Sequence, residues 1–328
     1  MTTIRATATT KTPVTEPALG HNLIHALAAS PAFADDGLCF AAHAVGLARS
    51  EDGGRTWRDA YSTLNLQAPL TTAAVVLSPD FANDRTVFAG ASGGVLRSLD
   101  GGDRWLVAGL PSPPPFVTAL TVSPNYASDG LVFAGTMEDG VLRSWDRGAS
   151  WAAWNFGLLD LNVYALAISP DFAHDDTLYV GAESGVFRST NGGRAWREIA
   201  FPMECAPVLS LALSPDFSSD GCIWAGSEAH GLWRSDDRGV TWLQMDGLRE
   251  MGAINALLIQ QQPTQQPALL ALTGAGPHAS YDGGVIWRPL LQVEASGLSC
   301  ATAPLGLAAG APVLFGYDDG RVLSVRLP

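Results

Sequence analysis

The sequence has little charge, and few of its charges are positive. Charged residues make up 16% of the 328 residues, and 19 Lys and Arg stand against 32 Asp and Glu, a formal net charge of −13. A nucleic acid or an anionic membrane would call for a basic face on the protein. The composition therefore argues against both partners. The 47% of hydrophobic residues indicates a folded acidic protein with a large core.

Cysteine is also scarce, and long apolar segments are absent. The four Cys form no Cys-x-x-Cys motif, which is typical of a reduced compartment. The N-terminal stretch MTTIRATATTKTPVTEPALG has no apolar h-region, and no run of about 18 apolar residues occurs in the chain. The sequence thus predicts no signal peptide, no membrane insertion and a cytoplasmic location.

What the sequence does contain is a repeat of about 46 residues. The stretch GLARSEDGGRTW ends at Trp57, and similar stretches follow at intervals of 45 to 48 residues, ending at Trp105, Trp151, Trp196, Trp242 and, in a decayed copy, Trp287. A second motif, Ser-Pro-x-Phe or Ser-Pro-x-Tyr, recurs in step with it, beginning at Ser30, Ser78, Ser123, Ser169 and Ser214. A catalytic group is normally unique in a domain, so the repetition indicates an architectural role.

One repeat, residues 161–199, predicts four short strands. LNVYALAISPDF is apolar on both sides, and Pro170 ends it because proline gives up a ladder donor. TLYVGAES, GVFRS and AWREIA give three more strands, with TNGG as a tight turn before the last. Four antiparallel strands in this length are typical of a β-propeller blade.

The stretch GLARSEDGGRTW then contains the turn between the third and fourth strands, called the box turn below. Gly53 and Gly54 supply backbone conformations with positive φ, and Ser50 and Asp52 can bond turn amides. Trp57 begins the fourth strand and can cover the turn.

The pattern Ser-x-Asp-x-Gly-x-x-Trp resembles the Asp-box of bacterial neuraminidase (BNR) repeats. Besides Ser50, Asp52 and Trp57, its members include Asp100 with Trp105, Asp146 with Trp151, Asn191 with Trp196, Asp237 with Trp242, and Asp282 with Trp287. Asn191 departs from the pattern, but asparagine also makes such turns. The resemblance implies a propeller in which these motifs lie on the rim, away from any active site.

The repeats predict an all-β fold, a seven-bladed propeller in a single domain, 1–328. Six blades are expected at about 21–60, 70–108, 115–153, 161–199, 207–245 and 253–290. The tail, 296–328, predicts three strands of a seventh blade. Residues 3–11 (TIRATATTK) alternate in polarity well enough to form its fourth strand. Closing the ring with strands from both ends would remove exposed edges. The alternative is six blades with a loose tail.

The resemblance also suggests the hypothesis of a sialidase. It implies three arginines that converge on the carboxylate of the substrate. Arg49, Arg97, Arg143, Arg188 and Arg234 each precede the Ser of a box turn, so repeat symmetry predicts that they are spread around the ring and paired locally. No zinc, EF-hand, P-loop, dinucleotide or nucleophile-elbow motif occurs. We therefore expect no catalytic residue, metal or cofactor, although a glycosidase carboxylate pair stays open.

In a propeller, one face carries the turns between the second and third strands of each blade and the loops that join blades; we call it the loop face. Its strand turns hold His43, Glu138, Asp139, Glu183, Glu228, His230, Asp318 and Asp319. These are either an acidic mouth of the channel or solvated loop charge. The blade-joining loops contribute Trp154, Phe156, Met203 and Met251, which either bind a protein or fold onto their own blades.

Two functional classes follow. The first is a non-catalytic scaffold, monomeric by itself, that binds a protein or peptide partner through the loop face. The repeats also resemble the propellers of photosystem II assembly and stability factors, which implies a fold and a binding role. The second is a glycan-directed protein, either a sialidase-like hydrolase or a lectin.

Overall fold

The computed structural model describes residues 22–110, 113–202, 207–262 and 266–328. Within them the chain forms seven antiparallel sheets, each made of strands consecutive in sequence. The first three are β1 (Ile24–Ala29), β2 (Cys39–His43), β3 (Gly46–Ser50) and β4 (Arg58–Asp59); β5 (Thr72–Leu77), β6 (Val87–Ala91), β7 (Gly94–Ser98) and β8 (Leu106–Val107); β9 (Phe116–Val122), β10 (Val132–Met137), β11 (Val141–Ser144) and β12 (Ala152–Ala153).

The remaining four sheets repeat the plan. They are β13 (Val163–Ile168), β14 (Leu178–Ala182), β15 (Val186–Ser189) and β16 (Arg197–Glu198); β17 (Val208–Leu213), β18 (Ile223–Ser227), β19 (Leu232–Ser235) and β20 (Leu243–Gln244); β21 (Ile254–Gln260), β22 (Ala268–Thr273), β23 (Gly276–Ser280) and β24 (Arg288–Pro289); β25 (Leu298–Thr302), β26 (Pro312–Tyr317) and β27 (Val322–Arg326). A 3₁₀ turn spans Asp246–Leu248.

The sheets close into a ring. The first strand of each sheet contacts the first strand of the next, and β25 contacts β1. At that junction Ser299 Oγ donates a hydrogen bond to the Ile24 carbonyl at 2.6 Å. The protein is a seven-bladed β-propeller, as predicted, and the alternative of six blades with a loose tail is wrong because the last sheet completes the ring.

The seventh blade has three strands among the described residues. Its outer strand, β27, is largely exposed, with Leu323 at 40%, whereas the third strands of the other blades are mostly buried. The strand predicted at 3–11 lies outside the described residues.

A single helical turn joins the first and second strands in blades one to five: α1 (Phe33–Asp36), α2 (Phe81–Asp84), α3 (Tyr126–Asp129), α4 (Phe172–Asp175) and α5 (Phe217–Asp220). The Ser-Pro motif organises it. Ser169 Oγ donates to Asp175 Oδ2 at 2.6 Å, and Asp175 Oδ1 accepts the Thr177 amide at 2.9 Å. No helix in the described part of the chain is long and apolar enough to cross a membrane.

Blades pack closely where the second strand of one meets the first strand of the next. A Cβ on Gly90 would lie 2.5 Å from Val117 Cγ1, and one on Gly316 would lie 2.7 Å from Ile24 Cγ2. Absence of a side chain therefore sets the spacing between blades at these positions, including the junction that closes the ring.

Candidate ligand site at the mouth of the central channel

The box turns use their polar atoms internally. Asp146 Oδ1 accepts hydrogen bonds from Ser144 Oγ at 2.8 Å and from the amides of Ala149 and Ser150 at 3.0 and 2.9 Å. The turn with Asn191 keeps two of these bonds, from Ser189 Oγ and the Ala195 amide. Because the acceptors are satisfied within the turn, these residues serve the fold.

Five of the six tryptophans of the motif follow two patterns. Trp105 and Trp196 are buried, and their indole Nε1 atoms donate to backbone carbonyls of the preceding blade, Ala60 at 3.0 Å and Trp154 at 2.8 Å. In contrast, three half-buried tryptophans donate to a glycine carbonyl of their own turn: Trp57, Trp242 and Trp287. Trp151 is buried and its Nε1 has no partner.

The five repeated arginines act locally and do not converge. Arg97 Nη1 donates to the Arg147 carbonyl of the next blade at 2.7 Å, and Arg234 Nη1 to the Gly283 carbonyl at 3.1 Å. Arg49 pairs with Asp103 of the second blade. Two others stack over aromatic rings, Arg143 over Trp154 at 5.0 Å and Arg188 over Tyr179 at 5.7 Å. The arrangement gives no arginine triad for a sialic acid carboxylate.

The large apolar residues of the blade-joining loops are not gathered at the channel. Trp154 packs edge-on against Trp145 of a box turn at 6.4 Å. Phe156 is 81% exposed, and its carbonyl accepts the Trp196 amide at 2.8 Å. Trp154 and Phe156 therefore lie on the outer flank between blades three and four. Met251 is partly buried against the core between blades five and six, and Met203 lies outside the described residues.

Asn162 connects the second-to-third strand turns of blades three and four, through the Glu138 backbone and the Glu183 side chain. Its Nδ2 donates to Glu183 Oε2 at 2.7 Å, and its Oδ1 accepts the Glu138 amide at 3.1 Å. Asp160 accepts the Asn162 amide at 3.0 Å through Oδ1 and the Ser184 amide at 2.6 Å through Oδ2. The loop face therefore orients these carboxylates with neutral donors.

Other predicted loop-face residues, among those that the structure describes, form no hydrogen bond with Asn162. Glu228 and His230 are exposed in the second-to-third strand turn of blade five. His43 lines a separate hollow of about 630 Å³ over blade one, with Nδ1 unpartnered, and burial lowers its pKa.

The channel opens on the loop face through a cavity of about 540 Å³, called the channel mouth. In every blade the pairing of the first two strands skips one residue of the first strand, a β-bulge, and each skipped residue lines the cavity. Bulges re-aim side chains next to functional sites. The seven residues are His25, Ala73, Thr118, Tyr164, Leu209, Asn255 and Ser299.

Sequence reasoning missed these residues, although a signal was present. In the first five repeats the bulged residue stands five positions before the Ser of the Ser-Pro motif, and it is different each time. The next position is Ala in the first four repeats. Variation at one fixed position beside a constant one marks a place that the fold leaves free.

The electrostatics of the channel mouth are negative. Burial raises the pKa of the Tyr164 hydroxyl, and the nearby charges of Glu183, Asp160 and Glu228 raise it further. Asp318 lines the cavity directly, and among the described residues no Lys or Arg does. Burial lowers the pKa of His25, which favours its neutral form.

A metal centre is not indicated. Within the described ranges no three or more His, Cys, Asp or Glu side chains are grouped so that they could hold an ion. The predicted absence of a cofactor stays a prediction.

Comparisons with known proteins bear on the fold. No family model and no curated protein matches the chain. Among solved structures it is similar to an extracellular domain from B. thetaiotaomicron described as part of a one-component system, with 15% identity and a TM-score of 0.68 over 92% of this chain and 38% of that one. It is also similar to a GH74 xyloglucanase from Xanthomonas campestris, with 19% identity and a TM-score of 0.68 over 94% and 52% of the two chains.

A third structure matches over nearly its full length. It is YCF48 bound to D1 peptide, with 19% identity, a TM-score of 0.67 and 94% of each chain covered. The likeness is one of fold. At these identities the three proteins support the propeller, and the chain spans only about two fifths and half of the first two.

Proposed function

We propose that this protein is a non-catalytic scaffold that binds a peptide segment of a protein partner at the channel mouth. The proposal rests on the seven bulged residues. Residues that serve only the fold recur from blade to blade, as the box turns do. The bulged residues share one position and one cavity but not one side chain, which is what recognition of an asymmetric ligand requires.

The size and lining of the cavity support a peptide. About 540 Å³ falls within the range of ligand sites, roughly 300–1,000 Å³, and suits a few side chains rather than a globular surface. Apolar walls from Phe116, Leu209 and Leu298 alternate with polar groups from Asn255 and Ser299. YCF48, which shares the fold, has been solved bound to a peptide.

A glycan-directed function is the second candidate. Phe116 and Tyr164 are aromatic residues of the kind that stack on sugar rings, and a xyloglucanase shares the fold. Against a hydrolase, Asp160 and Glu183 are engaged in loop hydrogen bonds.

The test is selection from a displayed random-peptide library on the immobilised protein, with a glycan array in parallel. Tyr164→Ala removes a ring from the channel mouth, and Tyr281→Ala removes an exposed ring from a box turn as the matched control. We expect selected peptides to lose about tenfold in affinity with Tyr164→Ala and little with Tyr281→Ala. The double variant Trp154→Ser, Phe156→Ser measures whether the flank contributes.

If the selected peptides bind Tyr164→Ala as tightly as they bind the parent, the binding site is not at the channel mouth. Glycan signals in the absence of selected peptides would favour the second candidate.

A further inference from the structure

We propose that the group received by the channel mouth is a basic side chain, Lys or Arg, of the partner peptide. This inference rests on the proposed function and adds the chemistry of the ligand. It follows from the charge, the walls and the bonding of the cavity, taken one at a time.

Negative charge at the channel mouth is uncompensated. Asp318 lines the cavity, and Asp160 and Glu183 are hydrogen-bonded to Asn162, two residues before Tyr164. The charges of Glu183, Asp160 and Glu228 add to burial in raising the pKa of the Tyr164 hydroxyl. Within the described residues, these four carboxylates form no ion pair, whereas Asp103 pairs with Arg49 and Arg58 elsewhere. A cation entering here would therefore gain attraction without displacing an existing partner.

Two of the four carboxylates are already held in place. Asp160 accepts two backbone amides, and Glu183 accepts the Asn162 side-chain amide at 2.7 Å. These side chains lose their conformational freedom when the protein folds, so a ligand that binds them does not bear that entropic cost. Asn162 is a positioning residue in this arrangement.

The walls of the cavity suit a side chain that is apolar along its length and charged at its end. Phe116, Leu209 and Leu298 offer apolar surface to a methylene stem. The faces of Phe116 and Tyr164 add cation–π attraction to an ammonium or guanidinium group. Such a mixture of acids, aromatic rings and aliphatic walls is complementary to Lys or Arg and unfavourable to an acidic residue.

The test measures fluorescence anisotropy with labelled peptides Gly-Gly-X-Gly-Gly, in which X is arginine, lysine or citrulline. Citrulline keeps the shape of arginine without its charge. We expect the arginine and lysine peptides to bind about tenfold more tightly than the citrulline peptide, with the difference shrinking as salt rises.

Glu183→Gln is the informative variant because glutamine can still accept the bond from Asn162 while losing the charge. It should weaken the arginine peptide about fivefold and leave the citrulline peptide unchanged. Asp35→Asn, which removes the same charge from the helical turn at the opposite face, should change neither.

Equal binding of arginine and citrulline peptides, or no binding of any of the three at roughly 5 mM, would overturn the inference. Full competition by spermidine at the concentration of the arginine peptide would also overturn it, by identifying a free polyamine as the occupant. Library peptides that depend on Tyr164 but carry no basic residue would sink this inference and leave the proposed function standing. A library that yields no peptide would count against the proposed function itself.

Discussion

Replacing Trp105 with Phe removes a hydrogen bond that joins two blades. The indole of Trp105 is 5% exposed, donates to the Ala60 carbonyl at 3.0 Å and meets the Tyr61 ring edge-on at 5.4 Å. Ala60 is itself buried, so its carbonyl would lose its partner at a cost of about 1–3 kcal/mol. The smaller ring adds a cavity, and full truncation to Ala should cost about 3–5 kcal/mol.

Trp57→Phe is the matched control. Trp57 is half-buried, and its indole donates to Gly54 of its own turn at 3.1 Å, where water can replace it. We expect a loss below about 1 kcal/mol. The measurement is the guanidinium unfolding midpoint by far-ultraviolet circular dichroism. A midpoint that falls as far for Trp57→Phe as for Trp105→Phe would refute the reasoning that the bond between blades is the stabilising one.

Three further predictions concern stability. Gly90→Ala should cost about 1–3 kcal/mol by overpacking against Val117, and adding Val117→Ala should restore part of the loss in a thermal melt. Hydrogen bonds from Thr241 lower the pKa of Asp237 to about 2, below its unfolded value of about 3.9. The ionised Asp237 therefore stabilises the fold above about pH 4, and this stabilisation is lost as the pH falls toward 2. In Asp237→Asn the unfolding midpoint should fall less steeply over that pH range than in the parent. Deleting residues 1–12 should lower the midpoint by removing the strand proposed to cover β27, and a synthetic peptide of those residues should restore it.

The repeat predicted the fold well because each blade is a local unit. The strand predicted from residue 161 begins at Val163, and GVFRS corresponds to β15. AWREIA, in contrast, keeps only Arg197–Glu198 as β16. An outermost strand pairs on one side alone, and both residues of β16 are exposed, so neither pairing nor burial extends it. The sequence predicts these helical segments only as turns, because four residues carry no helical period.

The channel mouth was hidden from sequence reasoning for a related reason. Tyr164 falls inside a strand whose apolar residues occupy both faces, so nothing in VYALAI marks it as different. A bulge inserts one residue without a motif of its own, and only the register of Val163 and Ala165 against the second strand reveals it. That acids such as Glu183 line the mouth of the channel stays a prediction, and Asn162, which bonds the Glu183 carboxylate, has no counterpart in the repeats.

The two faces of the ring differ in what their side chains do. At the box turns, carboxylates such as Asp146 are saturated by the amides that they organise, so a substitution there acts through stability. At the channel mouth the bulged residues Thr118 and Ser299 donate to carbonyls of the next blade, whereas His25 and Asn255 line the cavity and belong to no core cluster between blades. Replacing His25 or Asn255 with Ala should therefore leave the unfolding midpoint within about 0.5 kcal/mol of the parent while changing which peptides bind. A repeat protein built this way can acquire a new ligand by changing such positions while its core stays the same.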